Sequence, residues 1–328
     1  MHRELTGKAE TEGRQRGFSM LEMMITLFIL LGIATIVMMA MMQMTMTQGS
    51  VANRTQMHGS VRSATELVQQ EIGQSGRLPP FTTPVTLGAA VAPGPLVPAT
   101  VNSVTGMFVN EQLVVDAGQM GSGLPSIYQN PETVTVTAID AVSTPPTFTA
   151  AFNFSHNAGA PVVVAGAFPS GIIPKTATAP ISPSTDSILK MYGDINGDGN
   201  MVYVEYNCDN STTPGNLTRS VTLLTTLPLL KNAAQVILPN ITQNPGNANC
   251  FDYQQKTIGT DTYVTDVSVT LTVQTQNVDP QTRQLQKETK ALLNVAPRNV
   301  FDAWLLGGGA VTTRIQRMPA SVAILSQP

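Results

Sequence analysis

The sequence has little charge, few aromatic rings and almost no cysteine. Charged residues are 12% of the 328 residues and the formal net charge is −3, so the chain carries no basic field for nucleic acid. The two cysteines, Cys208 and Cys250, form no CxxC pair, which argues against a thiolate metal site. The three histidines are scattered along the sequence and indicate no catalytic base, so we expect no enzymatic activity.

Cys208 and Cys250 both lie in polar, strand-rich sequence. Export of this region to an oxidising compartment would favour a disulfide, which for a loop of this length stabilises a fold by about 4 kcal/mol. In a cytosolic domain the same two residues would be free buried thiols. The cysteines therefore predict a disulfide if the region is exported.

One long apolar segment stands out against this polar background. Gly17 is followed by the 25 residues 18–42, in which Glu22 is the single charge. As a helix this segment is about 37 Å long, enough to cross a hydrocarbon core of about 30 Å. Arg14 and Arg16 precede it and no A-x-A-like cleavage site follows it, so it predicts a membrane span that the mature protein keeps.

Residues 16–22, RGFSMLE, resemble the prepilin signature of type IV pilins and type II secretion pseudopilins, in which a basic leader ends in Gly and a Glu stands fifth after it. The resemblance implies that residues 1–17 are a leader, that a prepilin peptidase cuts between Gly17 and Phe18, and that the new amine of Phe18 is methylated. It also implies that this amine pairs with Glu22 of a neighbouring subunit in a filament. A lone carboxylate inside an apolar segment needs such a partner.

The resemblance also implies where the protein resides and what it contacts. We expect a single-pass protein of the bacterial inner membrane, with its head in the periplasm, that assembles into a pilus or a secretion pseudopilus. Its partners would be membrane lipid, prepilin peptidase, the inner-membrane assembly platform, and other pilins or pseudopilins through the helix. The alternatives are a filament-displayed adhesin or DNA-uptake head, and a plain membrane-anchored calcium-binding protein.

The apolar segment runs into an amphipathic one, so we expect one long helix over residues 18–78, with a transmembrane first half. Pro79 and Pro80 should end it, and Gly49 and Gly59 are candidate positions for a bend. Apolar residues recur at helical spacing along one side of the second half, at Val61, Ala64, Val68 and Ile72. This stripe should pack on β structure.

The rest of the chain predicts an α+β protein whose helix packs on an antiparallel, β-rich globular head. We divide it into a Pro/Thr/Gly-rich insertion at 79–185, a β-rich head at 186–299 and a C-terminal extension at 300–328. Strand-like stretches are 112–116, 133–139, 147–154, 161–164, 187–192, 201–206, 236–238 and 266–275. The stretch 266–275, with the polar and apolar runs after it, resembles the end of W-type minor pilins and J-type pseudopilins.

Residues 194–205, DINGDGNMVYVE, match the calcium-loop pattern D-x-[DN]-x-[DN]-G-x5-E. In that pattern the side chains at positions 1, 3 and 5, the carbonyl at position 7 and the carboxylate at position 12 bind Ca²⁺. The corresponding residues are Asp194, Asn196, Asp198, Asn200 and Glu205. The residues after the loop alternate as a strand does, so Glu205 is the least secure ligand, and an Asx/Gly-rich turn without metal is the alternative.

Overall fold

The computed structural model describes residues 17–117, 131–210, 214–224, 229–259, 261–309 and 315–328. It confirms an α+β fold in which one long N-terminal helix precedes antiparallel sheets. The predicted leader, apart from Gly17, lies outside the described residues.

The N-terminal helix α1 (Met20–Gln74) contains 55 residues and runs without interruption through Gly49 and Gly59. A glycine costs about 1 kcal/mol relative to alanine in a helix interior, which tertiary packing of the amphipathic half readily offsets. Every residue from 17 to 48 is exposed, whereas the second half buries one side. The helix is therefore continuous, with an exposed first half and a second half that is buried along one side.

The helix ends at Gln74, before the predicted end at residue 78, and the two prolines are not the cause. The Ser75 hydroxyl donates to the Ile72 carbonyl at 2.7 Å, and Gly76 adopts a φ of +75°. A Cβ on Gly76 would lie 2.9 Å from the backbone of Gly171. A close backbone contact with a distant segment thus sets the end of the helix, and only glycine permits it.

The second half of α1 lies on a seven-stranded antiparallel sheet. Its strands follow the order β12-β13-β11-β10-β9-β8, and β14 pairs with β13 as well. The strands are β8 (Ile188–Gly193), β9 (Val202–Cys208), β10 (Gly215–Leu223), β11 (Gln235–Thr242), β12 (Phe251–Ile258), β13 (Asp261–Gln274) and β14 (Lys287–Val295). The predicted helix stripe is buried against this sheet, in one core with Met191, Val204, Val267 and Val269.

Residues 79–117 and 131–165 form two smaller antiparallel sheets around a separate hydrophobic core, which includes Leu113, Val134 and Phe148. One sheet has the order β1-β7-β3-β4 and the other has the order β2-β6-β5. The strands are β1 (Val85–Thr86), β2 (Gly94–Thr100), β3 (Gln112–Val115), β4 (Glu132–Thr135), β5 (Ala138–Asp140), β6 (Thr147–Phe152) and β7 (Pro161–Val164).

The single strand predicted at 133–139 is wrong, because the chain changes sheets within it. Strand β4 pairs with β3, β5 pairs with β6, and the Val136 amide between them donates to the Glu111 carbonyl at 2.8 Å. Strand β2 was not predicted, because Pro95 and Pro98 argue against a strand in the sequence. The strand tolerates both prolines because it lies at the edge of its sheet.

The C-terminal extension is folded onto both sheet systems. Helix α2 (Val300–Gly308) packs Val300 and Ala303 against Tyr263 of β13. Helix α3 (Ala320–Leu325) packs Val322 against a cluster that contains Tyr203 of β9. The extension thereby covers the face of the large sheet opposite α1, since Tyr203 alternates with the helix-facing Val202 and Val204.

Candidate functional site

Residues 17–19, which directly precede α1, are exposed and not helical. Gly17, Phe18 and Ser19 precede the first helical residue, and a Cβ on Gly17 would meet no atom within 4 Å. The Ser19 hydroxyl caps the helix by accepting from the Leu21 amide at 3.3 Å. The predicted scissile bond between Gly17 and Phe18 thus lies in accessible backbone, where proteolysis concentrates.

Glu22 lies in the first turn of α1, and its side chain is exposed. No other charged residue occurs between Arg16 and Arg54. Within the part of the chain that the structure describes, no cationic side chain forms an ion pair with Glu22. The N-terminal end of a helix favours a carboxylate electrostatically, but an apolar surrounding makes its lack of a cationic partner costly.

The first half of α1 is apolar enough to cross a membrane. An 18-residue window of this helix has a mean hydropathy of 2.5, and none of the window is buried in the protein. A soluble protein would bury such a surface in its core. The helix is thus consistent with a membrane anchor.

The predicted calcium loop is a tight turn between β8 and β9. Asp194 is buried, and its Oδ1 accepts from the Gly199 amide at 3.3 Å, while Asp198 Oδ1 accepts from the Asn200 amide at 2.9 Å. Gly197 and Gly199 have φ values of +70° and +86°. The glycines therefore permit the turn as the pattern predicts.

Two features of this turn differ from a calcium loop of three carboxylates. Glu205 lies on β9, where it accepts from the Tyr203 hydroxyl at 2.6 Å and contacts Lys231 Nζ at 3.1 Å. Arg77 Nε stands 3.6 Å from Asp194 Oδ2. Across the described ranges, no three His, Cys, Asp or Glu side chains are grouped to hold a metal ion. The turn contains oxygen atoms that could bind a metal ion. The Glu205 carboxylate, however, contacts Tyr203 and Lys231, because the residues after the turn form strand β9.

Cys208 and Cys250 form a disulfide with a Cα–Cα distance of 6.4 Å, which confirms the prediction and excludes two free thiols. Both cysteines are buried in the core beneath α1. The bond joins the end of β9 to the residue before β12, which are not neighbouring strands in the sheet. The disulfide therefore links two strands, β9 and β12, that share no backbone hydrogen bonds with each other.

A buried ionic contact between α1 and the sheet was not predicted from the sequence. Glu71 accepts from the Tyr206 hydroxyl at 2.6 Å and from Arg219 Nε at 3.1 Å. Glu71 is 5% exposed, and burial beside this carboxylate raises the pKa of Tyr206. The partners are more than 130 positions away in the chain, so local sequence contains no signal for them.

A second buried polar cluster lies in the 79–165 unit. His156 is fully buried, with Nε2 2.7 Å from Glu132 and Nδ1 3.6 Å from Asp116. Burial alone would raise the pKa of Glu132, but hydrogen bonds from His156 and from two backbone amides lower it overall. The cluster joins the ends of β3 and β4, and no nucleophile accompanies it among the described contacts of these three residues.

The chain matches no family model, and no curated protein and no solved structure is significantly similar to it.

Proposed function

We propose that this protein is a minor pilin or pseudopilin, a structural subunit that prepilin peptidase processes and that incorporates into or primes a type IV pilus or type II secretion pseudopilus. One observation carries the proposal: an accessible Gly17–Phe18 bond stands directly before a long helix whose apolar half has no contact with the head. Such a helix can lie first in a bilayer and then among like helices, since both surroundings are apolar.

The proposed topology follows from the charges around the span. Arg14 and Arg16 would keep the N-terminus cytoplasmic, and the head with its disulfide would lie in the oxidising periplasm. The assembly platform and other subunits would contact the helix through its free apolar half and Glu22. The bulk of the head favours a tip or priming position over a repeating shaft position.

Processing can be tested directly by expressing the full chain with and without a prepilin peptidase and determining the N-terminus and intact mass. We expect the mature protein to begin at a methylated Phe18. Gly17→Val should abolish the cut, whereas the matched substitution Gly32→Val, also at a glycine with open space around it, should leave the cut in place. A mature N-terminus other than Phe18 would contradict the proposal.

We also propose that the turn of Asp194, Asn196, Asp198 and Asn200 binds Ca²⁺ as a structural ion. Carboxylate, amide and carbonyl oxygens are the ligands that this ion prefers. Hydrogen bonds within the turn join Asp194 to Gly199 and Asp198 to Asn200, and Asn196 lies between them in the sequence. The bound ion would neutralise Asp194 in place of Arg77 and would fix the connection between β8 and β9.

Chelation tests the calcium proposal. The melting temperature should fall by several degrees when calcium is removed, and Asp198→Ala should remove that difference. Asp140→Ala is the matched control, because Asp140 also caps a turn, by accepting from the Val142 and Ser143 amides, but lies outside the 194–200 turn. A melting temperature that chelator and Asp198→Ala both leave unchanged would refute calcium binding.

A displayed binding head is the second candidate function. The separate hydrophobic core of residues 79–165 favours it, because this unit can vary without disturbing the sheet that holds α1. An adhesin or DNA-uptake head predicts that filaments lacking this protein still assemble but lose adhesion or DNA uptake. Loss of assembly itself favours the structural role.

A further inference from the structure

The connection between β13 and β14, which we name the 276–286 loop, is held against α1 just beyond the apolar half of the helix. Gln281 Nε2 donates to Thr47 Oγ1 at 3.1 Å. Ser50 Oγ donates to Asp279 Oδ2 at 2.7 Å. These contacts fix the height of the loop along the helix axis.

The loop is also internally rigid. Asp279 Oδ1 accepts from the amides of Gln281 and Thr282 at 2.7 and 3.1 Å, and the Arg283 amide donates to the Asp279 carbonyl at 2.8 Å. The hydrogen bond from the Ser50 hydroxyl is the largest of several effects that lower the pKa of Asp279. This buried carboxylate therefore stays ionised at neutral pH. The outward side chains of the loop are therefore presented from a fixed backbone.

The helix places this loop at the outer edge of the lipid headgroup layer. If Glu22 stands at the inner boundary of the hydrocarbon core, the next twenty helical residues rise about 30 Å and bring Met42 to the outer boundary. Thr47 then lies about 7 Å further out, while the headgroup region on each side is roughly 5–7 Å thick. The segment of α1 that the loop contacts thus begins where the headgroups end.

The exposed side chains of the loop suit such a surface. Val278 is 52% exposed and Leu285 is 39% exposed, although both are apolar. The exposed charges nearby are positive, at Arg54, Arg283 and Lys287. Of the nearby acids, Asp279 is buried and Glu288 is only partly exposed. The whole chain has a net charge of −3, so this local positive charge runs against the average.

We propose that the 276–286 loop is a second membrane contact, which docks the head on anionic phospholipid headgroups while α1 spans the bilayer. The inference rests on the proposed membrane anchor. Apolar side chains would enter the interface, and the neighbouring cations would lie among lipid phosphates. A subunit held at two points has a fixed head orientation before assembly, and it must give up the second contact when it leaves the bilayer.

The test uses the full chain in bilayers of phosphatidylcholine, with or without phosphatidylglycerol, and a fluorophore on a single introduced cysteine. The two native cysteines are bonded, so the introduced thiol alone reacts. We choose Gln284→Cys in the loop, Asn157→Cys on an exposed turn of the 79–165 unit, and Thr35→Cys within the span. Nitroxide-bearing lipids, labelled at the headgroup or in the acyl chain, serve as quenchers.

Headgroup nitroxide should quench the label at position 284 strongly in bilayers that contain phosphatidylglycerol, and the label at position 157 hardly at all. Arg283→Gln with Lys287→Gln should lower the docking equilibrium constant on the order of tenfold, since each cation near an anionic surface contributes. Arg62→Gln with Arg317→Gln is the matched control, because it removes two exposed cations that lie outside the loop.

Three outcomes separate the possibilities. Equal quenching at positions 284 and 157, with the label at position 35 quenched by acyl-chain nitroxide, overturns the loop contact and leaves the anchor intact. An unquenched label at position 35 overturns both. Quenching at position 284 that phosphatidylglycerol and the double substitution leave unchanged also contradicts the proposal, because it shows mere proximity without recognition of anionic headgroups.

Discussion

Three glutamates of this chain show how surroundings decide what a carboxylate does. Glu22 is exposed on an apolar helix, without an ionic partner among the described residues. Glu71 is buried but receives hydrogen bonds from a tyrosine and an arginine. Glu111 is buried and receives one from the Phe108 amide at 3.2 Å. Burial without a cationic partner, as at Glu111, favours the neutral form of a carboxylate.

Glu22→Ala should leave membrane insertion and cleavage intact but reduce assembly into filaments severalfold. The reason is that removal of the carboxylate makes the span more apolar while deleting the proposed partner of a neighbouring amine. Immunoblots of sheared filaments against membrane fractions would measure the ratio. Glu66→Ala, on the head half of the same helix, is the matched control. Normal incorporation of the Glu22 variant would count against the pairing.

Glu111→Gln should stabilise the protein in mildly alkaline solution. Burial raises the pKa of Glu111 from 4.5 to about 8, although the hydrogen bond from Phe108 opposes the shift. Between these values the unfolded chain has released the proton and the folded chain still binds it, so stability falls as pH rises. The glutamine variant lacks this loss, which is on the order of 4 kcal/mol at pH 8.

The pH dependence of the melting temperature checks this prediction. The variant should melt above the wild type at pH 8, and the difference should vanish near pH 4, where both states of the wild type are protonated. An equal difference at both pH values would show that packing, and not titration, is responsible.

At the scale of elements, α1 is one helix whose halves obey different rules. The first half is specified by composition alone, since nothing in the described protein packs on it. The second half is specified by a stripe, and its ionic contact at Glu71 lies one position before the last stripe residue, Ile72. Because 100° separates successive residues, Glu71 reaches the sheet beside the stripe and meets Arg219 there.

Glu71→Ala should lower the free energy of unfolding by about 3–5 kcal/mol, because it leaves Arg219 and Tyr206 without their buried partner. Glu66→Ala should cost much less than Glu71→Ala, since the pairing of Glu66 with Arg62 is exposed and screened by water. Chemical denaturation of both variants measures the contrast. Similar losses in the two variants would contradict a specific contribution of the buried contact, since alanine is the better helix former at both positions.

Strand β12 shows why one element escaped prediction. Its sequence, FDYQQKTI, lies on one edge of the sheet with half of its residues exposed and only one buried, so apolar alternation is weak. The alternating stretch 266–275 was recognised, and the structure extends it to Asp261 because β12 pairs with that end. The recognised half faces the core beneath α1, which is the physical source of its pattern.

At the scale of the whole molecule, the C-terminal extension links the two sheet systems. Gln316 inserts its side-chain amide among backbone groups near β3, where Oε1 accepts from the Gln112 amide at 2.8 Å and Nε2 donates to the Gln112 carbonyl at 2.7 Å. Its own amide donates to the Ala167 carbonyl at 2.8 Å. The Gln316 side chain thus provides an acceptor for the Gln112 amide and a second donor for the Gln112 carbonyl, which also accepts from the Ala165 amide.

Gln316→Ala should destabilise the protein by roughly 1–3 kcal/mol, because the buried Gln112 amide loses the side-chain oxygen to which it donates. The Gln112 carbonyl keeps the hydrogen bond from the Ala165 amide. Arg317→Ala, at the next and exposed position, should change stability by less than about 0.5 kcal/mol. Thermal unfolding and hydrogen exchange at the Gln112 amide would report both effects. Unchanged protection of that amide in the Gln316 variant would contradict the assignment.

The sequence by itself determined the features that depend on local pattern or on elimination. Composition specified the apolar half of α1, helical spacing specified the stripe at Val61 and Val68, and a single pair of cysteines left one disulfide to form. Glycine and aspartate at fixed spacing specified the turn at 194–200. Each of these signals lies within a few residues, or needs no spatial information.

The tertiary structure alone decided the features that depend on distant partners. The end of α1 depends on Gly171, and the split of 133–139 depends on two different sheets. Glu205 contacts Lys231 and not the 194–200 turn. The position of the 276–286 loop along the axis of α1 is set by its contact with Thr47. No local pattern encodes these choices, since a side chain's environment is set by whichever segments the fold brings beside it.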